Sequence, residues 1–106
     1  MTVDRKIEIA NTIIKQLGGI GKLYTMVDAN RFVALDSGLQ FSFKGSRKIN
    51  KLVVKLDPSD TYTVEFWKIY SLKTGKSPKL IGSHSDIYFD MLVELFENET
   101  GLSLRL

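Results

Sequence analysis

The sequence predicts an α+β protein: an antiparallel β-sheet of about four or five strands, with an N-terminal and a C-terminal helix packed on one face as a two-layer sandwich. Three features of the 106-residue chain indicate this class. A helical stripe lies near each end, a β-hairpin lies in the middle, and several short segments alternate apolar with polar residues. An antiparallel sheet that is covered on one side shows this alternation, and two amphipathic helices can provide the cover. We expect a single domain over residues 1–106.

The hairpin of residues 51–70 is the clearest element of the chain. Its turn is Asp57-Pro58-Ser59-Asp60, in which Pro58 suits the second position of a type I turn and Asp57 suits the first. The strands on either side of this turn each place their apolar residues on one face. These residues are Leu52, Val54 and Leu56 before the turn, and Tyr62, Val64 and Phe66 after it.

Apolar periodicity predicts the two helices. Residues 3–17 are expected to form the first helix, which ends at Gly18-Gly19 because glycine suits the left-handed position after a helix. The second helix is expected to begin near Ser83, since Ser83 and Asp86 resemble a capping box, and to end before Gly101. The apolar stripes are Ile7, Ala10, Ile14 and Leu17 in the first helix, and Ile87, Met91, Leu92 and Leu95 in the second.

Shorter segments fill the chain between these elements. Residues 20–27 are interpreted as a short strand or an extended entry to the sheet, and residues 31–35 as either a strand or irregular structure. Residues 39–43 alternate as a half-buried strand does, and they follow a turn at Asp36-Ser37-Gly38. Residues 79–82 predict a last short strand.

The composition excludes several kinds of site. The chain has no cysteine and one histidine, His84, which excludes disulfides, thiol catalysis, thiolate metal sites and multi-histidine metal sites within one chain. No apolar run approaches the ~18 residues of a membrane span, and the N-terminal residues lack the pattern of a signal peptide. We expect a cytoplasmic protein that uses no cofactor, holds no metal and does not associate with membranes.

Charge is distributed unevenly along the chain. Residues 44–79 contain nine basic and three acidic residues, whereas residues 80–106 contain one basic and five acidic residues. Solvated strands and a solvated helix face explain such runs in many proteins. The alternative is a docking surface for nucleic acid or for a charged patch of another protein.

The polar face of the predicted sheet carries the first candidate site. Trp67 is expected on this face among lysines, where it would stack on a nucleic-acid base or anchor a protein contact. The alternative is that Trp67 packs under the loop at 72–79 or under the stems of the lysine side chains. The basic residues of this site are Lys44, Lys51 and Lys55 on the face, with Arg47 and Lys48 at its rim.

Four acidic residues form the second candidate site. Asp86, Asp90, Glu94 and Glu97 recur at helical spacing, so we expect them on one face of the C-terminal helix. This face is either a solvated surface or a partner-binding surface that imitates phosphates or binds a basic protein.

The run Ser83-His84-Ser85-Asp86 contains the residue types of a catalytic triad, but triads assemble from distant segments. We interpret the run as a helix start with an exposed histidine, and we expect no catalytic residue.

Several short sequence motifs, spread from about residue 13 to residue 102, resemble those of a known protein family in their order along the chain. They are Gln16-Leu17-Gly18-Gly19, Met26, Ala29, Phe32, Leu39-Gln40-Phe41, Asp60-Thr61-Tyr62, Phe66, Lys68-Ile69, Asp86-Ile87-Tyr88, Asp90-Met91-Leu92, Phe96 and Thr100-Gly101-Leu102. In this order they resemble a family of small proteins carried by phages, prophages and conjugative elements, most of them of unknown function. This chain departs from the family pattern at Trp67, where a small residue is expected, and at Ile20-Gly21, which resembles a short insertion.

The resemblance implies a function that the residues alone do not. Phages carry many small proteins that bind and block a host enzyme, and inhibitors of CRISPR nucleases are a prominent class. Our first hypothesis is a mobile-element protein that inhibits a host defence protein, such as a CRISPR nuclease, without catalysis in the cytoplasm of an infected bacterium. The second is a nucleic-acid-binding module that uses the lysine-rich sheet face. The third is a structural or dimeric interaction protein, and we expect a monomer or a homodimer.

Overall fold

The computed structural model describes residues 3–104. It confirms the predicted class, because five antiparallel strands form one sheet in chain order and helices near both ends of the chain pack with it. Two 3₁₀ turns, at Leu72–Thr74 and Phe89–Met91, flank the last strand. The helices are α1 (Val3–Gln16), α2 (Ile20–Val27) and α3 (Leu92–Thr100), and the strands are β1 (Asn30–Leu35), β2 (Gly38–Ser42), β3 (Lys51–Leu56), β4 (Tyr62–Lys68) and β5 (Lys79–Ile87).

The central hairpin is formed by β3 and β4, as the sequence predicts. The two strands pair from Lys51 opposite Trp67 to Leu56 opposite Tyr62. The backbone N–H of Asp60 donates to the carbonyl of Asp57 at 3.0 Å, which closes the predicted turn. This hairpin lies between β2 and β5, so both of its strands have a neighbour on each side.

Helix α1 ends where the paired glycines were expected to end it. Gly18 and Gly19 both adopt positive φ, at 111° and 97°, and residues other than glycine rarely adopt these values. The N–H of Gly19 donates to the carbonyl of Ile14 at 2.9 Å, which satisfies one of the last helical carbonyls. Nowhere among residues 3–104 does a helix combine the length and the apolar character that crossing a bilayer requires.

The segment that follows α1 corrects the prediction for residues 20–27. It forms α2 and not a strand, because Leu23 and Val27, four residues apart, both point into the core. The helix ends at Asp28, which adopts a left-handed backbone with φ 54°. The ambiguous segment after it is the edge strand β1, which pairs with β2.

The C-terminal region corrects a second prediction. Ser83 does not begin a helix, because β5 continues to Ile87, which pairs with Tyr62 at the start of β4. Without these residues, the outer backbone groups of β4 would lack hydrogen-bond partners, and buried groups of this kind are costly. Helix α3 begins only at Leu92 and ends at Gly101, whose φ is 75°. The predicted end of the helix is therefore confirmed, and the predicted start is wrong.

All three helices pack on one side of the sheet, which we call the covered face. Aromatic rings run through this core: Phe41 lies 5.1 Å from Phe32, and Phe43 lies 5.0 Å from Phe96, measured between ring centroids. The opposite side is the open face, on which no helix among residues 3–104 packs. The most completely buried large residues are Phe41, Phe43, Phe66, Phe96, Ile13, Leu17, Leu23, Leu39, Ile49, Leu52, Leu92 and Leu104.

The close approach of β2 to β3 leaves no room for a side chain at Gly38, the first residue of β2. A Cβ added there would overlap the backbone carbonyl oxygen of Val54, whereas a Cβ added at Gly82 would make only an ordinary contact at 3.7 Å. We expect Gly38→Ala to lower the unfolding free energy by about 1–3 kcal/mol, as overpacking generally does. Gly82→Ala is the matched control and should change it by less than ~0.5 kcal/mol. Equal losses in urea-induced unfolding would contradict this explanation.

Tyr62 links the sheet to α1 and makes stability depend on pH. Its hydroxyl donates to Gln16 Oε1 at 2.6 Å. Burial raises the pKa of Tyr62 above 10.0, and the charge of Asp60 adds to this rise. Because the folded state holds this proton more tightly, the stabilisation is complete below pH 10 and is lost as the pH rises through the folded pKa.

Tyr62→Phe tests this link. At neutral pH the variant should lose about 1 kcal/mol of unfolding free energy, the usual worth of one hydrogen bond. Above pH 10, wild type should lose stability faster than the variant, because only wild type carries the titrating hydroxyl. Urea unfolding from pH 7 to pH 11 measures both effects, and parallel pH curves for the two proteins would show that the pKa of Tyr62 is not raised.

Candidate functional site

Trp67 lies on the open face, as predicted, directly opposite Lys51. Its Nε1 donates to Glu65 Oε1 at 3.0 Å, and the other oxygen of Glu65 lies 3.3 Å from Lys55 Nζ. The ring is half-buried, and Pro78 from the loop between β4 and β5 borders the same concavity. This concavity, the Trp67 concavity, measures about 380 Å³ and is lined by Leu35, Gln40, Lys51, Val53, Lys55, Glu65, Trp67, Ile69 and Pro78.

Lys44 does not join Trp67 in that concavity. It lies beyond the end of β2, and its Nζ is 3.3 Å from Asp28 Oδ2 in an exposed ion pair. It lines a neighbouring depression of about 370 Å³, which we call the Arg31 concavity. The residues of this depression are Asn30, Arg31, Ser42, Phe43, Lys44, Asn50, Ile69, Tyr70 and Ser71.

Arg47 and Lys48 line a third depression, the basic groove, which measures about 550 Å³. Lys68 and Lys79 also line it and lie directly opposite each other at the end of the β4–β5 ladder. None of these four cations forms an ion pair with a residue in the described part of the chain, and no acidic residue lines the groove. Its lining residues are Arg47, Lys48, Lys68, Tyr70, Lys79, Leu80 and Ile81.

Asn50 holds the segment that separates these depressions. Its Nδ2 donates to the carbonyl of Ile69 at 2.9 Å, and its Oδ1 accepts from the N–H of Ile69 at 2.7 Å. The backbone N–H of Asn50 also donates to the carbonyl of Trp67 at 2.9 Å. These three bonds extend the β3–β4 pairing beyond the last strand residue and fix the backbone that carries Tyr70.

The four predicted acidic residues do not share one helical face. Asp86 belongs to β5 and adopts φ 57°, Asp90 lies in the 3₁₀ turn, and only Glu94 and Glu97 lie on α3. The prediction was wrong because it depended on the helix beginning near residue 83. Glu97 has a structural partner, since its Oε2 accepts from the N–H of Leu104 at 2.8 Å.

An exposed apolar cluster replaces the predicted helix face at the junction between β5 and α3. Tyr88, Phe89 and Met91 are 58%, 60% and 43% exposed, and Asp90 and Glu94 beside them are exposed too. We call these five residues the aromatic corner. The sequence does not reveal this cluster, because helical spacing places Met91 in the buried stripe of a longer helix.

His84 lies on the covered face and is half-buried, which corrects the prediction of an exposed residue. Its ring meets that of Phe66 edge-on, at 5.9 Å between centroids. Its Nε2 lies 2.6 Å from Glu99 Oε1, which is within ion-pair distance but does not have the direction of a hydrogen bond. Ser83 lies opposite Glu65 on the open face, so strand alternation separates it from His84. The serine and the histidine therefore do not form a nucleophile–base pair.

Comparison of the chain with models of protein families, with curated proteins and with solved structures found no match. Within residues 3–104, no three histidine, cysteine, aspartate or glutamate residues cluster in a way that could hold a metal ion. The resemblance to phage and mobile-element proteins stays a prediction.

Proposed function

We propose that this protein is a non-catalytic nucleic-acid-binding protein whose basic groove contacts the phosphate backbone. The observation that carries the proposal is the convergence of Arg47, Lys48, Lys68 and Lys79 on one concavity that no acidic residue lines. Like charges directly opposite each other in a sheet are destabilising, by up to ~1 kcal/mol for a pair such as Lys68 and Lys79. A bound polyanion would relieve this repulsion and so offset the cost of placing two lysines opposite each other.

The chemistry of the groove suits phosphates better than it suits a specific base sequence. Lysine and arginine on a phosphate backbone supply affinity and set the position of the ligand, but they carry little sequence information. Four contacts of this kind release about three counterions from a single strand, at ~0.7 per phosphate. The binding constant should therefore fall steeply as salt concentration rises.

A second function, the inhibition of a host RNA-guided nuclease, is favoured by the aromatic corner. Exposed clusters of large apolar residues mark interaction sites, and aromatic residues are frequent binding hot spots. Asp90 and Glu94 beside the cluster would complement a basic protein surface of the kind that holds nucleic acid. The resemblance to mobile-element proteins supports this candidate.

Charge reversal of the groove tests the proposed function. At ~0.1 M salt, Lys68→Glu/Lys79→Glu should weaken binding of a labelled oligonucleotide by tenfold or more and should flatten the dependence of affinity on salt. The control is Lys15→Glu/Lys22→Glu on α1 and α2, which changes the net charge equally but lies outside the groove. Fluorescence anisotropy at several salt concentrations measures both quantities. Equal losses in the two variants would reduce the effect to net charge and contradict a groove-specific site.

Charge reversal at the aromatic corner tests the second function. A purified CRISPR nuclease should be inhibited by wild type, and Asp90→Lys/Glu94→Lys should relieve this inhibition because the acidic residues no longer complement the basic surface. The groove variant Lys68→Glu/Lys79→Glu is the control and should inhibit as wild type does. Normal DNA cleavage in the presence of excess wild-type protein would exclude this function for the nuclease tested.

A further inference from the structure

We infer that the nucleic acid is a single strand, bound along a continuous track of three adjoining concavities. This inference rests on the proposed function and names its ligand more closely. Ile69 lines both the Trp67 concavity and the Arg31 concavity, and Tyr70 lines both the Arg31 concavity and the basic groove. The three depressions therefore meet around the backbone that Asn50 holds in place.

The track is basic along its whole length. One acidic residue lines it, Glu65, and its carboxylate is already engaged by Lys55 and by the indole of Trp67. A backbone phosphate would meet a cation in each of the three depressions. The cations that line the track are Arg31, Lys44, Arg47, Lys48, Lys51, Lys55, Lys68 and Lys79.

Arg31 lies in the middle of the track, and its backbone conformation is strained. It lies in a bulge where Arg31 and Phe32 together oppose one residue of β2, and its φ is 55°. Glycine is the usual residue at a left-handed bulge position. The other non-glycine residues with positive φ among residues 3–104 are Asp28, Asp60 and Asp86, and aspartate tolerates this conformation better than arginine does. A strained arginine in a basic concavity points to a selected contact with an anion.

Two aromatic rings favour a single strand over a duplex. Trp67 lines the first concavity and Tyr70 lines the second and third, so one base could stack in the first concavity and another where the second and third concavities meet. Lys76 Nζ lies 5.2 Å from the centre of the Tyr70 ring and covers one of its faces, so a base would stack on the other face. Bases within a duplex stack on one another and cannot stack on protein rings, whereas those of a single strand can.

Trp67 is the only tryptophan of the chain, so its fluorescence reports directly on the track. Titration with a thymidine oligonucleotide should quench this fluorescence, and a duplex of equal length should bind at least about tenfold more weakly at the same salt concentration. Trp67→Leu removes this fluorophore, so binding by the variants is measured from the fluorescence anisotropy of a labelled oligonucleotide. Trp67→Leu/Tyr70→Leu should weaken single-strand binding by about tenfold or more and leave duplex binding unchanged. Tyr88→Leu, which removes an exposed ring outside the track, is the control and should change neither.

The outcomes separate the two proposals. Salt-dependent binding that is equal for single strand and duplex, and insensitive to loss of the rings, would overturn the single-strand inference and leave the proposed function standing. No binding of either oligonucleotide at low salt would overturn both.

Arg31→Gly tests the middle of the track independently. Glycine relieves the backbone strain, so the melting temperature should stay constant or rise while single-strand affinity falls several-fold. Unchanged affinity would remove Arg31 from the track.

Discussion

The structure depends on the one-sided burial of its central hairpin. Leu52 and Phe66, which pair across β3 and β4, point toward the helices and are almost completely buried. Since successive side chains of a strand point to opposite faces, the neighbouring residues Lys51 and Trp67 must appear together on the open face. A slip of one residue would bury the lysine, so the apolar core fixes this register strongly. The candidate site is thus a consequence of core packing, because the contacts that fold the hairpin also present its polar side.

Local signals explain which parts of the fold could be predicted. The turn at Asp57-Pro58-Ser59-Asp60 and the glycine after α1 depend on backbone preferences of a few residues, and the sequence displays these directly. The extent of β5 depends instead on β4, whose outer edge needs a partner that lies many residues away. Residues 83–86 satisfy a helix-start pattern locally, but this non-local pairing prevails. Helix α2 could not be predicted because it has only eight residues and includes Gly21, so its helical spacing is weak.

The candidate site, like the fold, could be predicted from the sequence only in part. Alternation within β3 and β4 predicted that Lys51, Lys55 and Trp67 share a face. The basic groove could not be predicted, because Lys68 and Lys79 meet only through the β4–β5 pairing and its irregular register. The left-handed backbone at the β1 bulge has no sequence signal either, since arginine is not the residue that such a position normally selects. Features set by alternation and by the local hairpin turn were therefore visible in the sequence, and features that depend on bulges or on an irregular register were not.

The one acidic residue of the track has a physical role that favours a ligand with both phosphates and bases. Glu65 binds the Trp67 indole through one carboxylate oxygen and Lys55 through the other. The lysine offsets the negative charge, so the carboxylate repels a nearby phosphate less. The hydrogen bond orders the indole before a ligand arrives, and an ordered side chain loses less conformational entropy on binding. A surface that only attracted anions would gain by omitting this carboxylate. Its presence beside a half-buried tryptophan is consistent with the proposal that the ring itself contributes to binding, by stacking on a base.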